Sequence, residues 1–251
     1  SLDDILNATF VSAEVDPAMA VQEDEIFYTI FTSGSTGTPK GVQITRRNLE
    51  DFAQWTMSAY KYEQKQHVFL NQAPFSFDLS VYELQNALVS GGSMLAVGHE
   101  QVKDLRTLWA YLTTYGHNIG VWVSTPSFLS LCVSIPEFRC ENFPEMYQFV
   151  LIGEVFPKSL AKEVMSRFPN AIVSNFYGPT EATVAHTVID LDAAIIDLHE
   201  LLPIGRCKPG STVAIENGEI ILGGPNVSPG YLGDSERTAN VFFQRDGVRY
   251  Y

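Results

Sequence analysis

Three short runs in the chain bring together residue types that could do chemistry. The first is Thr32-Ser33-Gly34-Ser35-Thr36-Gly37-Thr38-Pro39-Lys40-Gly41, placed directly after an apolar, strand-like run. Its glycines let successive backbone N–H groups turn inward into an anion-binding nest. The hydroxyls of Thr32, Ser33, Ser35 and Thr36 add neutral donors, and Lys40 adds one positive charge. That chemistry suits a nucleotide triphosphate. The run is not a Walker A loop, because Pro39 precedes Lys40 and neither Ser nor Thr follows it, and it contains no GxGxxG. A flexible Gly/Ser linker fits poorly, since the run joins two strand-like segments and ends in Pro-Lys-Gly.

The second run, Asn175-Phe176-Tyr177-Gly178-Pro179-Thr180-Glu181, ends a strand-like segment. Carboxyl ends of parallel strands are where α/β proteins place ligands. An aromatic ring can stack on a base, an Asn amide can read a polar base edge, and a Thr-Glu pair can meet phosphate and a hard cation such as Mg²⁺. The bland alternative is a Gly-Pro turn with Glu181 as a cap. The third run, Asn71-Gln72-Ala73-Pro74-Phe75-Ser76-Phe77-Asp78-Leu79-Ser80, leads into a helical pattern. Asp78 stands among Phe75, Phe77 and Leu79, so its carboxylate is either a helix N-cap or a partner for a buried ammonium.

Positioning these runs requires a scaffold, and the apolar periodicity supplies one. Residues 26–31 and 42–44 read as strands, the former buried, and a helix runs from Asn48 through Trp55 towards Tyr60. Further strands are expected at 68–70, 94–97, 121–123, 149–152 and from 171. Between them lie a helix from Leu79 to Leu88 and one presenting Leu105, Leu108, Leu112 and Tyr115. Others open at Pro126 and carry Leu160, Val164 and Phe168 inward. This alternation predicts an α/β fold of parallel βαβ units, with helices on both faces. After Leu202-Pro203 the pattern changes to a hairpin around Asn217-Gly218, so the expected division is residues 1–201 and a small β subdomain over 202–251.

Composition narrows the class. A formal charge of −13 argues against nucleic acid or an anionic membrane as the main partner. The first 24 residues read as an exposed acidic lead-in without a basic-then-apolar leader, and no apolar run approaches the roughly 20 residues that span a bilayer. The three cysteines form no CxxC and the five histidines no HExxH, which points to a reducing cytosol and against structural zinc.

In this order and spacing, the three runs resemble the adenylate-forming, AMP-binding enzymes: acyl- and aryl-CoA ligases, luciferases and amino-acid adenylation domains. Gly218-Glu219-Ile220 and Gly230-Tyr231-Leu232 resemble a later signature of that family, so the likeness covers residues 25–251. The resemblance implies stacked α/β sheets and the use of ATP and Mg²⁺. It puts Thr32 and Ser33 on phosphate, and Asn175, Phe176, Tyr177, Gly178, Pro179 and Thr180 on ATP with Tyr177 against adenine. Glu181 would be the magnesium ligand. Residues 71–81 and 124–128 look most like the members that activate D-alanine and pass it to a phosphopantetheine carrier protein in teichoic acid biosynthesis. That likeness implies Asp78 for the substrate ammonium, with Val184 and Ile152 lining the pocket, Ile152 where those members carry Cys. The alternatives are an adenylation domain of a peptide synthetase, a CoA ligase and a non-catalytic nucleotide-binding module. The family's TGD motif and catalytic lysine fall outside the chain. The expectation is therefore an inactive fragment of a longer cytoplasmic enzyme.

Overall fold

The computed structural model describes residues 17–33 and 38–251; the lead-in over residues 1–16 and positions 34–37 of the first run lie outside the described residues. Strands β1 (Ile26–Thr32) and β2 (Lys40–Thr45) form an antiparallel hairpin whose last pair is Thr32 with Lys40. Helix α1 (Arg46–Tyr60) follows at once. The Thr45 hydroxyl accepts the Asn48 N–H at 3.2 Å, and Asn48 Oδ1 accepts the Thr45 N–H at 3.0 Å. This reciprocal cap starts the helix before Asn48, where the periodicity alone begins it.

The chain then alternates: β3 (Val68–Asn71), α2 (Leu79–Ser90), β4 (Ser93–Ala96), α3 (His99–Val102), α4 (Leu105–Tyr115), β5 (Ile119–Ser124), α5 (Pro126–Val133), β6 (Gln148–Leu151), α6 (Lys158–Arg167) and β7 (Ile172–Tyr177). Strands β8 (Thr187–Asp190) and β9 (Arg206–Cys207) complete a seven-stranded sheet, with α7 (Ala193–Leu198) between them. Its order is β4-β3-β5-β6-β7-β8-β9, parallel from β4 to β7 and antiparallel thereafter.

Neighbouring strand residues point to opposite faces, and here both faces are covered. Leu70, Trp122, Phe149 and Leu151 pack with α4, α5 and α6, whereas Phe69, Val121, Val123, Val150 and Ile152 pack with α1 and α2. This explains why the strands read as unbroken apolar runs. Beyond Leu202 the chain contributes to three sheets. Strand β9 closes the large one, β12 (Gly230–Tyr231) pairs with β2, and β10 (Thr212–Glu216), β11 (Glu219–Gly223), β13 (Phe243–Arg245) and β14 (Val248–Tyr250) make a four-stranded sheet. The β10–β11 turn is Asn217-Gly218, both with positive φ (53° and 84°), as a two-residue hairpin requires.

Two expectations need correction. Strand β1 is not buried: Ile26, Phe27 and Phe31 are exposed, because β1 is an edge strand whose one neighbour among the described residues is β2. In α4 only Leu108 and Leu112 of the expected face are buried. Leu105 and Tyr115 at its two ends are exposed, while Trp109 and Tyr111 supply side contacts.

Glu83, in α2, is fully buried, and its Oε1 accepts a hydrogen bond from Asn71 Nδ2 at 2.6 Å while Oε2 has no partner among the described residues. Burial pushes this carboxyl up from 4.5 to about 8, with the Asn71 bond opposing. The unfolded chain therefore releases the proton at lower pH than the folded chain does, so native stability falls as pH rises across that interval. Glu83→Gln is expected to melt above the wild type, the Tm gap opening near pH 4.5 and levelling near pH 8. A gap that stays constant from pH 5 to 8 in thermal unfolding would refute the buried neutral carboxyl.

Candidate active site

The carboxyl ends of β3, β6 and β7 and the mouth of the β1–β2 hairpin carry the residues singled out above. Strand β7 ends in Asn175, Phe176 and Tyr177. A one-turn 3₁₀ helix, Thr180–Ala182, then places Glu181 in the interior. A cleft of about 360 Å³ is lined by Gly153, Glu154, Phe156, Asn175, Tyr177 and Ile204, among others. Asn175 anchors its floor by donating from Nδ2 to the Pro203 carbonyl at 2.9 Å. The half-buried Tyr177 ring and this largely apolar cleft can accept a planar heterocycle.

Asp78 holds the N-cap position of α2, yet its φ and ψ (−66°, −19°) are helical and its side chain makes no capping bond. The carboxylate meets the Thr180 hydroxyl and the backbone amides of Asp78 itself and Leu79. Burial pushes Asp78 up from 3.8 to about 6; the Thr180 hydroxyl opposes this, and Glu181 adds repulsion. A carboxylate so placed is short of positive charge. A ligand ammonium would supply it. Val184 and Ile152 are both buried in the apolar cluster that also holds Phe176 and Leu79, the residue after Asp78.

Glu181 is paired already. Its Oε1 accepts from Lys40 Nζ and, at 2.8 Å, from the Tyr231 hydroxyl; Lys40 Nζ also donates to that hydroxyl at 3.0 Å and sits 4.8 Å from the ring centre. Burial pushes both Tyr231 and Tyr251 upward, Tyr251 to about 12, with the Glu181 charge adding to each. Mg²⁺ binds through one or two carboxylates, and phosphates and water provide the rest. A single Glu fits that donor set, given that the described residues contain no group of three or more His, Cys, Asp or Glu placed to hold a metal. Lys40 would then turn to the phosphates. The Thr32 hydroxyl is buried without a partner among the described residues, the state expected of a phosphate donor, while Ser33 beside it is exposed.

Contacts thus link Thr32 to Lys40, Lys40 to Glu181 and Asp78 to Thr180, while Ile152, Val184 and Phe176 share one apolar cluster. Sequence reasoning missed Tyr28, whose buried hydroxyl has no partner among the described residues and whose ionisation is opposed by burial and by Asp78. It also missed that Lys40 and Tyr231 neutralise Glu181. Lys40 is 141 residues from Glu181 and Tyr231 is 50 away, and no local pattern signals contacts of that range.

A family model described as "AMP-binding enzyme" matches residues 2–232. Two curated proteins named D-alanine--D-alanyl carrier protein ligase, from Bacillus cytotoxicus and Listeria welshimeri, are 45% and 43% identical over 94% of this chain and 48% of theirs. The chain therefore spans about half the length of the curated relatives it matches. Among solved structures, the Vibrio cholerae adenylation domain AlmE in complex with glycyl-adenosine-5'-phosphate is similar at TM-score 0.78 and 26% identity, over 92% of this chain and 45% of that one. The nonribosomal peptide synthetase FmoA3 shares the fold at TM-score 0.84 and 22% identity, over 98% and 27%.

The raised Asp78 gives a stability test without any ligand. The unfolded chain ionises this group near 3.8 and the folded chain only near 6, so the carboxylate costs stability above that interval. Asp78→Asn is expected to raise the Tm of the unliganded protein, the gain growing from pH 4 to 6 and constant above. A lower Tm at pH 7 would mean that Asp78 is a helix cap after all.

Proposed function

Because the chain belongs to the AMP-binding enzyme family, we propose that it is the nucleotide- and amino-acid-binding part of an ATP-dependent ligase. The ligase activates D-alanine as its adenylate and passes it to the phosphopantetheine thiol of a carrier protein. The observation that carries this reading is Asp78: a buried-side carboxylate at a helix start, unused as a cap and raised in pKa, beside the Thr180–Glu181 run. A plain carboxylic acid would have no use for it.

In the first half-reaction an oxygen of the substrate carboxylate attacks the α-phosphorus of ATP, a P–O bond forms, and the bond to pyrophosphate breaks. In the second, the carrier thiol attacks the acyl carbon and AMP leaves with the electron pair. In-line displacement at phosphorus needs alignment and charge stabilisation more than a protein nucleophile. Here the cleft at Tyr177 would hold adenine, Thr32, Ser33 and Lys40 the phosphates, and Asp78 the ammonium. The apolar walls Ile152 and Val184 would leave room for a methyl group. Glu181 would hold Mg²⁺, which neutralises phosphate charge when bound. A cytoplasmic setting follows from the supply of ATP and carrier protein.

ATP–pyrophosphate exchange by the full-length protein with D-alanine, L-alanine, glycine and propionate tests this reading. Asp78→Ala should lower kcat/KM for D-alanine by roughly 30- to several thousand-fold, the equivalent of removing one partner of a buried charge pair. Propionate, which has no ammonium, should be affected little. Equal losses for both substrates would withdraw the ammonium role.

Stereochemical preference should reside partly in Ile152. Discrimination by one methyl in such a pocket amounts to about 1–3 kcal/mol. The D/L ratio is expected to be finite and to shift in Ile152→Cys. An unchanged ratio would show that position 152 does not shape the pocket.

A further inference from the structure

Residues 181–186 link the 3₁₀ turn to β8 and contain an unusual backbone. Thr183 and Val184 are consecutive, and both have left-handed φ, 51° and 66°. A β-branched side chain clashes with its own backbone there, and such a conformation persists only where its surroundings over-determine it. Those surroundings are identifiable. Below the turn, a Cβ on Gly178 would lie 2.6 Å from Ala185 Cα, so glycine alone permits the approach. Above it is Asn226, in the loop between β11 and β12 and fully buried.

The Asn226 carboxamide donates to the Ala182 carbonyl at 2.6 Å and to the Ala185 carbonyl at 3.2 Å, bracketing the two strained residues. The Asn226 carbonyl accepts the Thr183 hydroxyl at 2.7 Å, and the Ser228 N–H donates to the Glu181 carbonyl at 2.8 Å. Val184 is thereby held in the apolar cluster with Ile152 and Phe176. The Glu181 backbone is held by a separate bond that does not depend on the Asn226 side chain.

We propose that Asn226 is a positioning residue for amino-acid selection: by clamping the 182–185 turn in its left-handed form it aims Val184 into the substrate pocket and so limits the side chain accepted. The selection role rests on Val184 lining that pocket; the clamp itself does not. Glycine takes positive φ without strain, so Val184→Gly should relieve the turn of its dependence on the clamp.

The test is a double-mutant cycle in the full-length protein, with Asn226→Ala, Val184→Gly and the pair, read by Tm and by exchange with D-alanine and D-2-aminobutyrate. Asn226→Ala should lower Tm by a few degrees, as expected for stranding buried carbonyls in a long chain. It should reduce the preference for D-alanine over the larger substrate by about 5- to 100-fold, leaving KM for ATP unchanged. In the Val184→Gly background its effect on Tm should be smaller. Additive Tm effects, or an unchanged substrate ratio in Asn226→Ala, would overturn the proposal. If Asn226→Ala does not fold, recovery of folding in the double variant supports the clamp and continued failure overturns it. Wild-type protein lacking exchange with every amino acid would overturn the functional reading and the selection role with it, while the Tm cycle would still decide the clamp.

Discussion

A buried carboxylate cannot stand alone in a protein interior, and the pairing of Glu181 organises much of this molecule. Burial of an unpaired charge is far costlier than any single packing contact, so the fold must deliver a cation and donors to that point. It does so from different sheets. Glu181 follows β7 of the seven-stranded sheet, Lys40 begins β2, and Tyr231 lies on β12, which is hydrogen-bonded to β2. Tyr251, next to β14 of the four-stranded sheet, senses the same charge. Pairing one side chain thus ties three sheets together at the candidate site.

The same region concentrates features that stability alone would not select. Asp78 occupies a cap position without capping, Glu83 leaves one oxygen unpartnered, and Thr183 and Val184 hold left-handed backbones. Other buried polar groups are paired within the sheet: Gln148 donates to Ser174 at 2.8 Å, and Ser174 donates to Asp190 at 2.6 Å. The contrast fits a site whose residues are held ready for groups that a ligand brings, with the surrounding packing bearing the cost. For Asp78 a ligand cation would supply the positive charge its surroundings lack. For the turn the support is not a ligand but Asn226, whose carboxamide replaces the hydrogen bonds that a relaxed backbone would make elsewhere.

Sequence alone determined the α/β alternation, the helix at Pro126, the Asn217-Gly218 hairpin and the three runs that hold the candidate site residues. Each is a local signal, because periodicity, proline and turn chemistry act over a few residues. The misjudged elements were those whose fate depends on neighbours. Strand β1 has the composition of a core strand but lies at an edge, and α4 is longer than the surface it covers. Only the tertiary structure decided that Lys40 and Tyr231 meet Glu181, that Asp78 reaches Thr180, and that Asn226 braces the turn at Val184. Those contacts join residues far apart in the chain. Their energies come from excluding water and from where the backbone turns, which no local run of residue types encodes.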